Sequence, residues 1–189
     1  MTNEEATERF YELVWPLAAT VLRTAQILTG SAVGADDLAQ ETMLKAFRSI
    51  ESFRDGTDVK AWLMAILRNA RTDRVRAGVK SAANVSLDAL PFEPPDEAGM
   101  SESRSEEAWE RPEELMNAFG DRDIIEALQR LPEEIRWTLL LLDVEGLDQQ
   151  EAARVLEVPV GTVKSRAHRG RTMLHEALLP VARDRRLVE

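Results

Sequence analysis

With 189 residues, 44% hydrophobic content and a net charge of −10, the chain is long enough for one domain or two small ones and apolar enough to bury real cores. It has no cysteine, which excludes disulfides, thiolate metal sites and cysteine catalysis. The start, MTNEEATERF, is acidic rather than a basic leader, and no run approaches the ~20 apolar residues of a membrane span, so a cytoplasmic protein without membrane insertion is expected.

Helix formers dominate and no alternating Val/Ile/Thr-rich run occurs, which predicts an all-α fold. Asn3 can cap a first helix whose apolar positions Phe10, Leu13, Val14, Leu17, Val21, Leu22, Ala25 and Leu28 follow the 3.6 period, with Gly30 as its stop. Pro16 interrupts that pattern, and an interior proline costs roughly 3 kcal/mol, so a kink or two helices meeting near Trp15 are predicted. After a loop at 31–34, ADDLAQETMLKAFRSI forms the next helix, with Asp36 and Asp37 placed at its positive N-terminal end. Leu38, Ala39, Thr42, Met43, Ala46, Phe47 and Ile50 face inward. Asp37, Gln40, Glu41, Leu44, Lys45 and Arg48 face outward, an ordinary solvated face with one exposed leucine.

Residues 49–60 contain an Asp-Gly turn signal. A third helix runs from Val59 to about Gly78, with Trp62, Leu63, Ile66, Leu67, Ala70 and Val75 on its apolar side. Arg68, Arg71, Arg74 and Arg76 surround that side with a single acid, Asp73. Residues 80–118 then hold ten acids against three bases, a net of −7, together with Pro91, Pro94, Pro95 and Pro112. This is the composition of a flexible acidic linker, and it confines most of the negative charge to one stretch. Trp109, Leu115, Met116 and Phe119 at its end suit a patch that docks on the C-terminal domain. Asp121 or Asp123 starts the next helix, and Pro132 opens another that ends at Gly146.

Residues 148–178 read as a short helix, a tight turn and a longer basic helix. Asp148 can cap the first, with Glu151 completing a capping box, and Glu157-Val158-Pro159 forms the turn. Val163, Ala167, Gly170, Leu174 and Leu178 make the inward stripe of the second. Thr162, Ser165, Arg166 and Arg169 lie opposite, flanked by Lys164, His168 and Arg171, and residues 160–175 contain no acid. Charged helix faces are usually just solvated. A basic face without acids in so acidic a chain instead suits phosphates and base edges.

LPEEIRWTLLLLDVEGLDQQEAARVLEVPVGTVKSRAHRGR, residues 131–171, resembles the sigma-4 domain of RNA polymerase sigma factors of the extracytoplasmic-function group in the sigma-70 family. DDLAQETMLKAF is similar to the sigma-2 segment that clamps the polymerase β′ subunit, and FRDGTDVKAWLMAILRNARTDRVRA to the portion that melts the −10 element and holds a flipped base. The resemblance implies a sigma-2-like domain at 1–79, the linker at 80–118 and a sigma-4-like helix-turn-helix domain at 119–189. It assigns −35 contacts to Thr162, Lys164, Ser165, Arg166 and Arg169. The −10 contacts fall on Phe53, Arg54, Asp55, Arg68, Asn69, Arg71 and Arg74, and polymerase contacts on Asp37, Gln40, Glu41, Leu44 and Lys45. Glu157 departs from the family, which commonly has glycine in that turn; a left-handed backbone there would be strained.

The implied function is an alternative sigma factor that directs core RNA polymerase to −35/−10 promoters. Its partners would be the β′ and β subunits and promoter DNA; it would be a monomer when free, and the existence of an anti-sigma factor is left open. The alternative is a stand-alone helix-turn-helix regulator of the LuxR type, which would carry an α/β receiver that residues 1–79 do not predict. Catalysis has little support: His168 and His175 both sit in the basic helix, and no P-loop, paired metal ligands or Ser-His arrangement occurs, so neither cofactor nor metal is expected.

Overall fold

The computed structural model describes residues 2–83 and 121–184, without the side chains of residues 78–83, 121 and 184. The expected linker from residue 84 onward, its docking patch, and residues 185–189 lie outside the described residues.

Helix α1 spans Asn3–Leu13 and is capped by Thr2 instead of Asn3. Thr2 has a glutamate three residues on, so a reciprocal box closes: Glu5 N–H donates to Thr2 Oγ1 at 3.2 Å, and Thr2 N–H to Glu5 Oε2 at 2.7 Å. Pro16 does what its ring requires, ending α1 in a 3-10 turn, Trp15–Leu17, before α2, Ala18–Thr29. Gly30 closes α2 at φ 68°. Helix α3, Ala32–Ser49, starts earlier than predicted because the Ser31 hydroxyl accepts from Gly34 N–H at 3.2 Å. Asp36 and Asp37 therefore sit beyond its first turn, where the helix dipole favours them little.

Helix α4, Val59–Ala83, continues past Gly78. One glycine costs about 1 kcal/mol relative to alanine but does not by itself end a helix. In the C-terminal half, α5 is Asp121–Arg130 and α6 is Glu133–Leu139, which widens into a π-helical segment, Leu140–Val144, before Gly146 turns the chain at φ 70°. Helix α7 is Gln149–Leu156 and α8 is Val160–Asp184. The latter passes through Pro180. Leu178 and Ala182 are buried on either side of the proline, and their packing offsets the lost hydrogen bond.

Two helical units result. In the first, α2, α3 and α4 close on Val21, Ala25, Leu38, Ala46, Leu63 and Leu67; in the second, α6 and α8 close on Leu139, Leu140, Leu141, Val163 and Leu178. They are not separate in space. Helix α2 packs on α5 and α4 on α7, and the buried residues of both units form one apolar cluster.

Candidate nucleic-acid interface

The turn between α7 and α8 is built by local chemistry. Asp148 Oδ1 accepts from Gln150 N–H at 2.7 Å and Glu151 N–H at 2.8 Å, and Glu151 Oε2 accepts from Asp148 N–H at 2.9 Å. Glu157 ends α7 in the left-handed conformation, φ 56° and ψ 41°, the one positive φ outside glycine among the described residues. Val158 N–H reaches Ala153 O at 3.1 Å across it, and Pro159 O accepts from Thr162 N–H at 3.0 Å to open α8. Gly170 then lets α8 lie against α6, since a Cβ there would stand 2.7 Å from Ile135 Cγ2 and 3.0 Å from Leu139 Cγ.

This geometry turns Lys164, Ser165, His168 and Arg169 to solvent and leaves Thr162 half-buried. Lys164 and Arg169 form no ion pair among the described residues. Arg166 and Arg171 are held within the same unit, the first by Glu134 and the second by two bonds to Asp143 at 2.7 and 3.2 Å. Two cations are thus presented freely, and two are tethered.

The second basic helix is arranged differently. Arg68 Nη1 lies 3.5 Å from Glu157 Oε1, and Arg71 Nε 3.5 Å from Glu133 Oε1; both acids belong to the C-terminal unit. Arg71 Nε is buried and has no hydrogen-bond partner among the described residues. Arg74 turns instead to α3, donating from Nε to Glu41 Oε2 at 2.6 Å and from Nη2 to Asp37 O at 2.8 Å. Asn69 and Arg54 are exposed. Phe53, expected at the rim of a base pocket, is a core residue: its ring is buried 5.1 Å from that of Trp62, with the Arg9 guanidinium 5.5 Å above it. Arg9 also donates to Phe53 O at 2.9 Å and to Asp55 Oδ1 at 2.6 Å, so it pins the loop from beneath. Trp62, as its apolar neighbours imply, belongs to the same packing.

On α3, Gln40 and Leu44 are exposed, while Glu41 is engaged. Burial raises the Glu41 pKa, but bonds from Arg74 and Lys45 outweigh it, and the group titrates below its ordinary 4.5. Lys45 is raised in turn, chiefly by its bond to Glu41, and reaches Asp73 at 3.1 Å.

The sequence shares these features with described proteins. Residues 13–80 match sigma-70 region 2, and residues 121–174 match sigma-70 region 4. The ECF RNA polymerase sigma-E factor of Escherichia coli strain K12 is 30% identical over 148 residues, covering 78% of this chain and 75% of that protein. The chain belongs to the extracytoplasmic-function group of sigma-70 factors. The ECF RNA polymerase sigma factor SigE of Mycolicibacterium smegmatis is 35% identical over 176 residues, which is 93% of this chain but 64% of SigE's length. In three dimensions the chain is similar to the sigma factor RpoE of Bartonella quintana, solved in complex with the anti-sigma factor NepR. That likeness has a TM-score of 0.66 at 26% identity over 89% of this chain and 96% of RpoE. CnrH, solved with the cytosolic domain of CnrY, shares the fold at a TM-score of 0.59 and 22% identity, covering 95% of this chain and 97% of CnrH.

Sequence reasoning missed the groups between regions 2 and 4 of this sigma factor. The Glu145 carboxylate, at the end of the π-helical segment, is 1% exposed; it accepts from Thr24 Oγ1 at 3.0 Å and from Arg23 Nη2 at 3.4 Å. Lys60 Nζ donates to Glu145 O at 2.8 Å and stands 3.9 Å from its carboxylate. Arg136 gathers carbonyls at the end of α5, Leu128 O and Leu131 O both at 2.9 Å, and reaches Leu28 O of region 2 at 3.5 Å. Burial lowers its pKa, opposed by the nearby charge of Glu133 and reinforced by that of Arg71. A lone arginine inside EEIRWTLLLL was the one visible signal.

Proposed function

We propose that the protein is an alternative sigma factor that recruits core RNA polymerase, reads a −35 element with α8 and opens the −10 region with the loop before α4 and α4 itself. The observation that carries this reading is the pairing of a region 2 with a helix-turn-helix whose second helix presents Lys164, Ser165 and Arg169 from a segment, residues 160–175, that itself contains no acid. Thr162 and Arg166 complete the −35 set, Arg166 after leaving Glu134. For −10, Arg54 and Asn69 meet bases, while Arg68, Arg71 and Arg74 serve the phosphates. Phe53 shapes the loop from within, and Asp55 holds its exposed side through Arg9.

Core polymerase is taken by Gln40 and Leu44, flanked by Asp37, with Glu41 and Lys45 rigidifying that face through Arg74 and Asp73. Such a factor works in the cytoplasm as a non-enzymatic subunit, monomeric when free. Among the described residues no helix is long and apolar enough to cross a membrane. An anti-sigma partner is supported by the likeness to RpoE, which was solved with one. A stand-alone regulator would leave region 2 without a task. Purified chain added to core enzyme on promoter templates should yield specific initiation; DNA binding that neither needs nor recruits core would overturn the proposal.

A further inference from the structure

The loop before α4 has little of its own to fix its shape. Phe53 is buried, but residues 54–58 are all exposed. Thr57 N–H reaches back to Arg54 O at 3.2 Å, and the Asp58 carboxylate is occupied in capping α4 through Ala61 N–H at 2.8 Å. Gly56 turns the chain at φ 84°, a conformation that glycine enters without steric cost and leaves as easily. Among the described residues, Arg9 is the one side chain from another helix that hydrogen-bonds this loop.

Its pair with Asp55 alone would hold little, because that carboxylate side chain is 90% exposed and exposed pairs contribute weakly. The bond to Phe53 O is partly buried, and the Arg9 side chain is only 23% exposed. One nitrogen, Nη2, donates to both the carbonyl and the carboxylate while the rest of the guanidinium stays over the Phe53 ring. The point charge of a lysine does not reproduce that combination. Arg9 is itself placed from the core, since its neighbour Phe10 is buried edge-to-face against Phe47 at 5.2 Å.

We infer that Arg9 is a positioning residue for the −10 strand: without meeting DNA, it holds residues 53–57 in one shape, so that Arg54 and the exposed backbone beside it receive the displaced base. A loop that must be ordered at the moment of binding loses affinity, and a loop with several shapes accepts several bases. The inference rests on reading this loop as the −10 contact, but the clamp itself does not.

The test uses the full chain, which has no native cysteine to interfere with labelling. A nitroxide on Thr57→Cys reports loop mobility by electron paramagnetic resonance, and one on Ala19→Cys, exposed on α2, reports loosening of the fold. Arg9→Ala should sharpen the first spectrum and leave the second unchanged. Asp55→Ala removes the outer end of the clamp without touching the core, and should loosen the loop in the same direction.

Holoenzyme assembled from core polymerase and each variant then selects from short single strands randomised at their central positions. Arg9→Ala should lower the enrichment of the preferred base about three- to tenfold, the range for one side chain that must be ordered on binding, while holoenzyme forms as with wild type. Arg9→Lys, which keeps the charge but not the fork, should lie between the two. Enrichment equal to wild type in Arg9→Ala would overturn the inference, and so would lost enrichment with an unchanged Thr57→Cys spectrum. Arg9→Ala with Asp55→Asn should stay defective; recovery there would mean that Arg9 only neutralises Asp55. Failure of the −10 reading would look different: wild type itself would enrich no base, although its loop still loosened when Arg9 was removed.

Discussion

Helices α4 and α8 have equal length, 25 residues, and both carry rows of arginine, yet their charges are treated in opposite ways. On α8 the partners Glu134 and Asp143 come from the same unit, and Lys164 and Arg169 stay open to solvent. On α4, Arg68 and Arg71 meet acids of the other unit and Arg74 meets the neighbouring α3. Equal length and similar arginine content therefore do not mean equal readiness. Lys164 and Arg169 of α8 are open to solvent, whereas Arg68, Arg71 and Arg74 of α4 are already paired.

The strongest way to break the comparison is to remove the core that presents α8. Leu140 is fully buried where α6 widens, and Leu140→Ala should cost about 2–5 kcal/mol, which thermal melting would read directly. Duplex binding should fall with it. A melting temperature within a degree of wild type would show that α8 is held by something other than this packing.

Thr24→Val acts on the seam alone. Thr24 is fully buried, and valine keeps its shape while removing the hydroxyl that bonds the Glu145 carboxylate, so a loss of about 1.5–3 kcal/mol is expected. Denaturant unfolding measures it. Loss of less than half that amount would mean that Arg23 and Lys60 alone satisfy Glu145.

Within α8, Arg169→Ala should relax −35 discrimination by about 1–3 kcal/mol if it reads a base, with Arg166→Ala smaller because Arg166 must first leave Glu134. Binding of a −35 duplex and its single-base variants decides between them. Undiminished discrimination in the double variant would remove both from the reading set.

The smallest stability effects belong to α3. Gln40→Ala, at an exposed position, should change stability by no more than about 0.5 kcal/mol while weakening association with core enzyme. Glu41 is a poorer probe of that interface, because it holds Arg74 and Lys45. Its folded pKa lies below 4.5, so its contribution is present above that value and fades as pH falls through the folded pKa. Glu41→Gln should accordingly be destabilised at neutral pH and match wild type in strong acid. Equal acid profiles at every pH would mean that these bonds contribute nothing.

Much of this molecule is legible in the chain alone. Periodicity, Pro16, Pro132, the Asp148–Glu151 box and the turn at Glu157 act over four residues or fewer, and such signals survive in any tertiary setting. That is why the helices and the two-unit organisation could be read directly. Where expectation and structure part, two local signals competed: Thr2 displaced Asn3 as a cap, and Ser31 started α3 a turn early.

What no local pattern contains is the partner of a charge. Arg68 and Arg71 read identically whether they face water, phosphate or Glu157 and Glu133, which lie more than sixty residues away in the chain. The same is true of Glu145, an ordinary surface acid by sequence, and of Phe53, whose burial depends on Trp62 and Arg9 arriving from different helices. Sequence determined where along α4 and α8 the cationic side chains lie. Only the packing of region 2 against region 4 decided which of them are already occupied, because electrostatic pairing depends on distance in space and not along the chain.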